Sequence, residues 1–308
     1  MVGRVSGLAA RRGHTIHSGC GRGLSQVERR PILEPRLTRR VGREEVHVRD
    51  TREAAVAGMF YPDDPAQLRR EVEAMLADAR TDAPAPKAMI APHAGYVYSG
   101  PIAASAYARL RNRVAPITRV VLAGPAHRVG FRGIATHTAR AFETPLGEVS
   151  LDRAAVADVE ALPFVFPYDQ AHAREHSLEV HLPFLQVTLG AFSLVPLCVG
   201  VVEPAAVATA LERLWGGTET LVVISSDLTH YLDYQTARRI DAETSRAIEA
   251  LAGAAVGHEQ ACGRLPIQGL LEVARARGLR AQTVDLRSSG DTAGPRDRVV
   301  GYGAYVLA

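Results

Sequence analysis

Hydrophobic and polar positions fall into two repeating kinds of segment. Lys87-Ala88-Met89-Ile90, Arg119-Val120-Val121-Leu122-Ala123 and Leu221-Val222-Val223-Ile224 are short apolar runs closed by Gly, Pro or Ser. Runs of that length and punctuation predict buried strands. Between them the apolar spacing changes to that of a helix. Leu68, Val72, Met75 and Leu76 share one face of a helix that starts at Asp64-Pro65, with Pro near N1, and runs to about Ala79. The same reading predicts helices over 101–110, 177–189, 204–214, 234–251 and 265–277. It predicts strands over 192–199, 281–286 and 299–307, and a strand or hairpin over 142–151 around Gly147. Strands alternating with helices at this spacing imply an α/β fold, one domain with a largely parallel central sheet covered by helices on both faces.

A polar signature closes each apolar run and carries the chemistry. Ala91-Pro92-His93-Ala94-Gly95-Tyr96 closes the first, Gly124-Pro125-Ala126-His127 the second, and Ser225-Ser226-Asp227-Leu228-Thr229-His230 the third. In open α/β sheets ligands collect beyond the carboxyl ends of the strands. His93 and His127 are therefore candidate ligands of one metal ion, imidazole being a common borderline donor. Asp227 and His230 are three apart, which on a helical turn puts them on one face as a candidate acid/base pair.

Composition narrows the field. The 308 residues carry a formal charge of +3, but eleven arginines and five acidic residues give +6 to residues 1–50 and leave −3 for 51–308. A mildly acidic folded part speaks against nucleic-acid binding. No apolar run approaches the roughly 18 residues that span a bilayer. Cys20, Cys198 and Cys262 form no CxxC pair and no disulfide framework, which fits a reducing, cytoplasmic setting. Residues 1–50 read as an Arg-rich disordered extension or the product of a start codon placed too far upstream. His14, His17 and Cys20 within them lack a fourth ligand at finger spacing. No glycine-rich nucleotide motif accompanies the strands, so no nucleotide cofactor is expected.

Two further segments hold reactive groups. Cys262 precedes Gly263-Arg264-Leu265-Pro266, a helix start where a thiol should lean toward thiolate. Arg174-Glu175-His176-Ser177-Leu178-Glu179-Val180-His181 is dense in polar groups at the start of a predicted helix, with Glu175 and Glu179 sharing a face. It supplies Glu175, His176, Glu179 and His181 as candidates to back the ligands or to wall a substrate. His172 and His176 are four apart, but Ala173 stands where a zincin needs Glu, which disfavours a zinc hydrolase. A serine hydrolase built on Ser225 or Ser226 lacks GxSxG, and its Ser, Asp and His would come from a single six-residue stretch.

These motifs together resemble the Memo family, the AmmeMemoRadiSam system protein B of prokaryotes. The resemblance runs from Ala57-Gly58-Met59-Phe60-Tyr61-Pro62 through Pro92-His93-Ala94-Gly95-Tyr96-Val97-Tyr98-Ser99-Gly100, Gly124-Pro125-Ala126-His127 and Glu143-Thr144-Pro145-Leu146-Gly147. It continues through Glu175-His176-Ser177-Leu178-Glu179-Val180-His181-Leu182-Pro183, Ser225-Ser226-Asp227-Leu228-Thr229-His230-Tyr231 and Cys262-Gly263-Arg264. It implies a fold similar to class III extradiol dioxygenases and a metal, iron or copper, on His93, His127 and Cys262. His230 would match the dioxygenases' acid/base histidine, with Asp227 beside it. Cysteine in place of their carboxylate ligand is softer and points to redox chemistry rather than ring cleavage. The family name also implies a radical SAM and an AMMECR1-like protein as partners. This chain departs from the usual pattern at Ala126 and Arg128, and Arg128 adds positive charge beside His127. Two functions are compatible with this pattern. One is a metal-dependent redox or oxygenase-like enzyme acting on an unknown small molecule. The other is a binding module that takes a peptide or partner protein on an anion-binding rim of Arg128, Tyr96 and Tyr98.

Overall fold

Strands and helices alternate along the chain as the periodicity requires. The computed structural model describes residues 50–81 and 85–308; the Arg-rich segment, with His14, His17 and Cys20, lies outside the described residues. The strands are β1 (Thr51–Arg52), β2 (Ala88–Ala91), β3 (Arg119–Pro125), β4 (Ile134–Thr136), β5 (Ala141–Thr144), β6 (Gly147–Ser150), β7 (Val165–Pro167), β8 (Ser193–Val199), β9 (Thr220–Ser225), β10 (His230–Leu232), β11 (Ala281–Ser288) and β12 (Val299–Leu307). The helices are α1 (Pro65–Asp78), α2 (Tyr96–Tyr107), α3 (Arg153–Val159), α4 (Asp169–Ala173), α5 (Leu182–Leu189), α6 (Pro204–Arg213), α7 (Tyr234–Glu249) and α8 (Arg264–Ala276).

One sheet dominates, in the order β10-β12-β2-β9-β3-β8-β4-β7, with β11 also paired to β12. Its middle strands β2, β9, β3 and β8 are parallel. Every residue of β2 and β9 is buried, which is why each reads as an unbroken apolar run. Their side chains alternate between two cores. Met89, Val120, Leu122 and Val223 meet α1, α2 and α5 on one face. Ile90, Val121, Val222 and Ile224 meet α6 and α8 on the other. Each fully buried aliphatic side chain contributes roughly 1.5–3 kcal/mol of transfer free energy, so the middle of the sheet is a firm base for the loops at its edge.

The sheet is more mixed than expected. β12 runs antiparallel to β2, β10 and β11, and β4 antiparallel to β8. Only a short 3-10 turn and loop join β11 to β12, too little chain for the helical crossover that a parallel pair requires. Helix α2 begins at Tyr96, one turn before Pro101, the residue that marked its expected start. Segment 177–189 is helical only from Glu179, first as a 3-10 turn and then as α5.

Two buried carboxylates tie the ends of the chain to this frame. Glu179 pairs with Arg52 and also accepts from Ala55 N (2.7 Å), Val56 N (2.9 Å) and the Tyr61 hydroxyl (2.6 Å). Arg52 spends its other donors on His172 O (3.0 and 2.8 Å) and Glu175 O (2.7 Å). Asp241 of α7 accepts from Thr229 N at 3.1 Å, beneath Gly301 of β12, where any Cβ would stand 2.0 Å from Asp241 Oδ2.

Both carboxylates bear on stability in a measurable way. Replacing Arg52 with Met leaves Glu179 buried without its cation and should cost about 3–5 kcal/mol; urea denaturation should show it, with Glu179→Gln in the same background recovering part of the loss. Burial raises the Asp241 carboxyl to about 6, so the folded state holds its proton longer than the unfolded chain. Stability from that proton is complete below pH 4 and is lost as pH rises toward 6. The advantage of Asp241→Asn over wild type should therefore grow by about 2 kcal/mol between pH 4 and 6 and level off above pH 7, read from paired urea curves.

Candidate metal centre

Strands β2, β9 and β3 are immediate, parallel neighbours, so their carboxyl ends share one edge. His93, Asp227 and His127 each come within two residues of such an end and are brought together there. His93 is buried, and its N–H donates to Asp227 Oδ1 at 2.8 Å. Its ring Nδ1 lies 2.6 Å from Ser225 Oγ. The Ser225 hydroxyl spends its single proton on Ser177 O (2.5 Å). Nδ1 of His93 must then carry the hydrogen, and Nε2 is left as a bare lone pair. Burial, and then the neighbouring imidazoles, push its pKa well below the usual histidine value, so the ring is neutral.

His127 is oriented by a carboxylate. Glu175 accepts from its Nδ1 at 2.9 Å and from its backbone N–H at 2.5 Å, and also from His176 N and Ser177 N at 3.0 Å each. Burial works against the charge on Glu175, but His127 and these N–H groups outweigh it and bring the carboxyl down to about 2. His176 stacks on His127 with ring centroids 4.8 Å apart and an interplanar angle of 21°. Its Nδ1 sits 3.3 Å from Glu175 Oε1, yet at an angle that makes no hydrogen bond, so this buried nitrogen has no partner. Burial brings its pKa down to about 4.

One nitrogen from each of His93, His127 and His176 lies within 4.8 Å of the other two. With Nδ1 engaged on His93 and His127, Nε2 is the atom each offers. Three imidazoles, two of them oriented by an outer acceptor, form a donor set that a borderline transition ion takes. Donors on one ion at bonds of roughly 2.0–2.1 Å stand about 3–4 Å apart, so occupancy draws the rings slightly inward.

Cys262 approaches the same centre from the loop before α8. Its Sγ lies 3.4 Å from His93 Nε2 and accepts from Asp227 N at 3.3 Å. Gly263 allows this approach, because a Cβ there would meet Ser225 O at 2.4 Å. The expected thiolate bias is overturned. Burial, and then the charge of Asp227, push the thiol up to about 12, and these outweigh the helix start. Burial also raises Asp227 to about 7, with Oδ2 3.9 Å from His93 Nε2.

His230 and Asp227 are not a hydrogen-bonded pair. The segment after β9 is extended and His230 opens strand β10, so the helical spacing that would have paired them does not apply. Asp227 serves the backbone of His93 instead. Burial lowers the His230 pKa. His230 lines two clefts that share it and His127, one of about 580 Å³ also lined by His93 and His176, and one of about 490 Å³ also lined by Cys262.

The remaining candidates separate into wall and frame. Arg128 lines the larger cleft, as do Tyr98, Tyr231 and Arg298. Tyr96, by contrast, is buried and donates to Val180 O at 2.8 Å. Glu179 belongs to the Arg52 pair, and the ring of His181 meets the Tyr107 hydroxyl at 2.7 Å. Residues 174–178 are turns rather than helix, so Glu175 and Glu179 diverge instead of sharing a face. Ser225, which sets the tautomer of His93, had no signal beyond its place in the signature. The same holds for Tyr231, which ends that signature, and Arg298 had no signal.

Fold and site together define an α/β protein with a histidine-rich centre at the carboxyl edge of a parallel sheet core. The Memo family model, described as Memo-like protein, matches residues 52–306. The chain is 36% identical to a MEMO1 family protein of Aquifex aeolicus, over 82% of this chain and 97% of that one. It is 34% identical to one of Methanopyrus kandleri (83% and 98%) and 36% identical to one of Archaeoglobus fulgidus (83% and 99%). The chain belongs to the Memo family. A solved structure, that of the uncharacterized protein JW3007 from Escherichia coli K12, is similar at 11% identity with a TM-score of 0.45, over 71% of this chain and 98% of that one. That likeness is too distant to carry more.

The thiol of Cys262 gives a direct test of the site's electrostatics. In metal-free protein at pH 8, iodoacetamide should alkylate Cys262 at least about 100-fold more slowly than free glutathione, because so little of the thiol is ionised. Peptide-resolved mass spectrometry measures it, and an equal rate would contradict the raised pKa.

Proposed function

We propose that this protein binds a redox-active transition ion, iron or copper, and acts as a metal-dependent redox or oxygenase-like enzyme. His93 and His127 are its anchors, and the third donor comes from Cys262 or His176. The observation that carries this reading is the wiring of the two anchors: Ser225 and Glu175 occupy both Nδ1 atoms, so Nε2 is the atom each ring offers. Three imidazoles suit iron or copper, and a thiolate shifts preference toward Cu(I). The ion would supply electron transfer or activation of a small molecule. Around it, Asp227 fixes the His93 loop, and His230 is placed to exchange a proton with a molecule in either cleft.

A second reading is a binding module for a peptide, or for a radical SAM or AMMECR1-like partner. Its support is an apolar rim. Met59, Val97, Tyr98 and Tyr231 are exposed, and Tyr98 and Tyr231 line the larger cleft.

Metal analysis of protein purified without oxygen separates the two. Wild type should hold about one iron or copper ion per chain, and His93→Ala and His127→Ala should lose it. Comparing Cys262→Ala with His176→Ala identifies the third donor. Glu175→Gln should weaken binding about 10–100-fold. No iron or copper above background in wild type would sink the metal reading, and retained capture of the radical SAM partner would then favour the second.

A further inference from the structure

The larger cleft has a chemical character that the ligands alone do not explain. Phe60, Tyr98, Tyr231 and Tyr302 give it aromatic walls, and Arg128 and Arg298 stand at its mouth. Neither arginine forms an ion pair with a described residue. The one carboxylate in the lining, Asp227, already accepts from His93 N. The cleft is therefore cationic and aromatic, and His93, His127 and His176 are part of its lining.

Tyr231 adds an independent observation. It has φ 60, in the left-handed region, and is one of two such non-glycine residues among those described. That conformation costs on the order of 1–3 kcal/mol for a bulky residue and persists only where the surroundings impose it. Here the irregular register between β10 and β12, at His230/Leu232, turns the residue outward. The ring is left 64% exposed, with the Arg298 guanidinium 5.2 Å from its centroid. An aromatic ring held in a strained backbone, solvent-exposed and stacked with a cation, is a preorganised binding surface rather than part of the core.

We propose that this cleft binds an aromatic carboxylate: the ring lies among Tyr98, Tyr231 and Phe60, the carboxylate is taken by Arg128 and Arg298, and the other end faces the three histidines. The inference rests on the reading of the histidines as the reactive centre, since it names the class of molecule presented to them. Arginine suits a planar carboxylate because its donors form a rigid fork that carboxylate oxygens match in pairs. The aromatic walls select a flat partner over an aliphatic acid of similar size.

The test uses the full chain, metal-free and iron-loaded, with four probes: benzoate, 2-naphthoate, benzyl alcohol and phenyl phosphate. Binding is read by saturation-transfer NMR and calorimetry, and metal content is measured on the same samples. At least one of the two carboxylates should bind at least tenfold more tightly than benzyl alcohol. Arg128→Gln and Arg298→Gln should each weaken it about tenfold, and Tyr231→Leu should weaken it as well, all without changing metal content. Equal binding of alcohol and carboxylates, no binding of either carboxylate, or unchanged binding in both arginine variants would overturn the proposal. Tighter binding of phenyl phosphate would move the ligand class to aryl phosphates and overturn the carboxylate assignment. If arginine-dependent carboxylate binding appears in a chain that takes up no iron or copper when offered either, the metal reading fails and this one stands. If the chain holds metal and no carboxylate binds, this one fails alone.

Discussion

The buried pair of Arg52 and Glu179 is the contact on which the site's geometry rests. Taking both ions out of water is costly and is repaid only when every remaining donor and lone pair is satisfied. Here they are. Glu179 holds the backbone at Ala55 and Val56 and the Tyr61 hydroxyl, while Arg52 holds the carbonyls of His172 and Glu175. The pair thus clamps residues 52–61 to the loop that carries Glu175 and His176. Within the clamped segment, Phe60 packs on the ring of His176 at 4.7 Å, and its carbonyl accepts from Tyr96 N at 2.7 Å. A segment that offers no ligand therefore sets where one ring of the centre stands and where α2 begins.

The same economy governs the rings themselves. A buried imidazole with two free nitrogens leaves one hydrogen without an acceptor, at a cost of roughly 1–3 kcal/mol. For buried His93 that hydrogen is placed on Ser225, and exposed His127 turns its Nδ1 to Glu175, so each ring offers Nε2 to the centre. His176 differs, since its Nδ1 is buried without a partner. Its ring is held by stacking on His127 and Phe60 rather than by a hydrogen bond, so it can rotate toward or away from an ion at less cost.

The strand cores and their edge were legible because a fully buried parallel strand must be apolar on both faces, and Pro or Gly ends it. That placed His93, His127 and Asp227 at strand ends. That they share one edge follows from the order β2-β9-β3, which periodicity does not encode. β11 and β12 were read as strands, but their antiparallel sense comes from their short connection rather than from periodicity, and β4, β7 and β10 are three residues long, too short to show alternation. The pairing of Asp227 with His230 assumed a helical turn where the chain is extended. The thiolate expected at Cys262 took the helix start into account but could not see burial, which dominates. Tyr231 stood in a signature but its exposure comes from the register irregularity beside it, and Arg298 was invisible because a loop, not a motif, brings it to the cleft.

The two candidate third donors place opposite demands on protons. His176 is already neutral down to about pH 4, so it can donate across the physiological range without releasing anything. Cys262 must first lose a proton held up to about 12, and Asp227, which titrates near 7, lies against the same sulfur. A thiolate there gains from a cation at His93 but is opposed by a charged Asp227, so the carboxylate and the thiol cannot both shed their protons cheaply. Donation by sulfur is thus coupled to the protonation of Asp227, whereas donation by nitrogen is not. Asp227 also holds the His93 backbone, so a change in its charge reaches one of the two rings that both arrangements share.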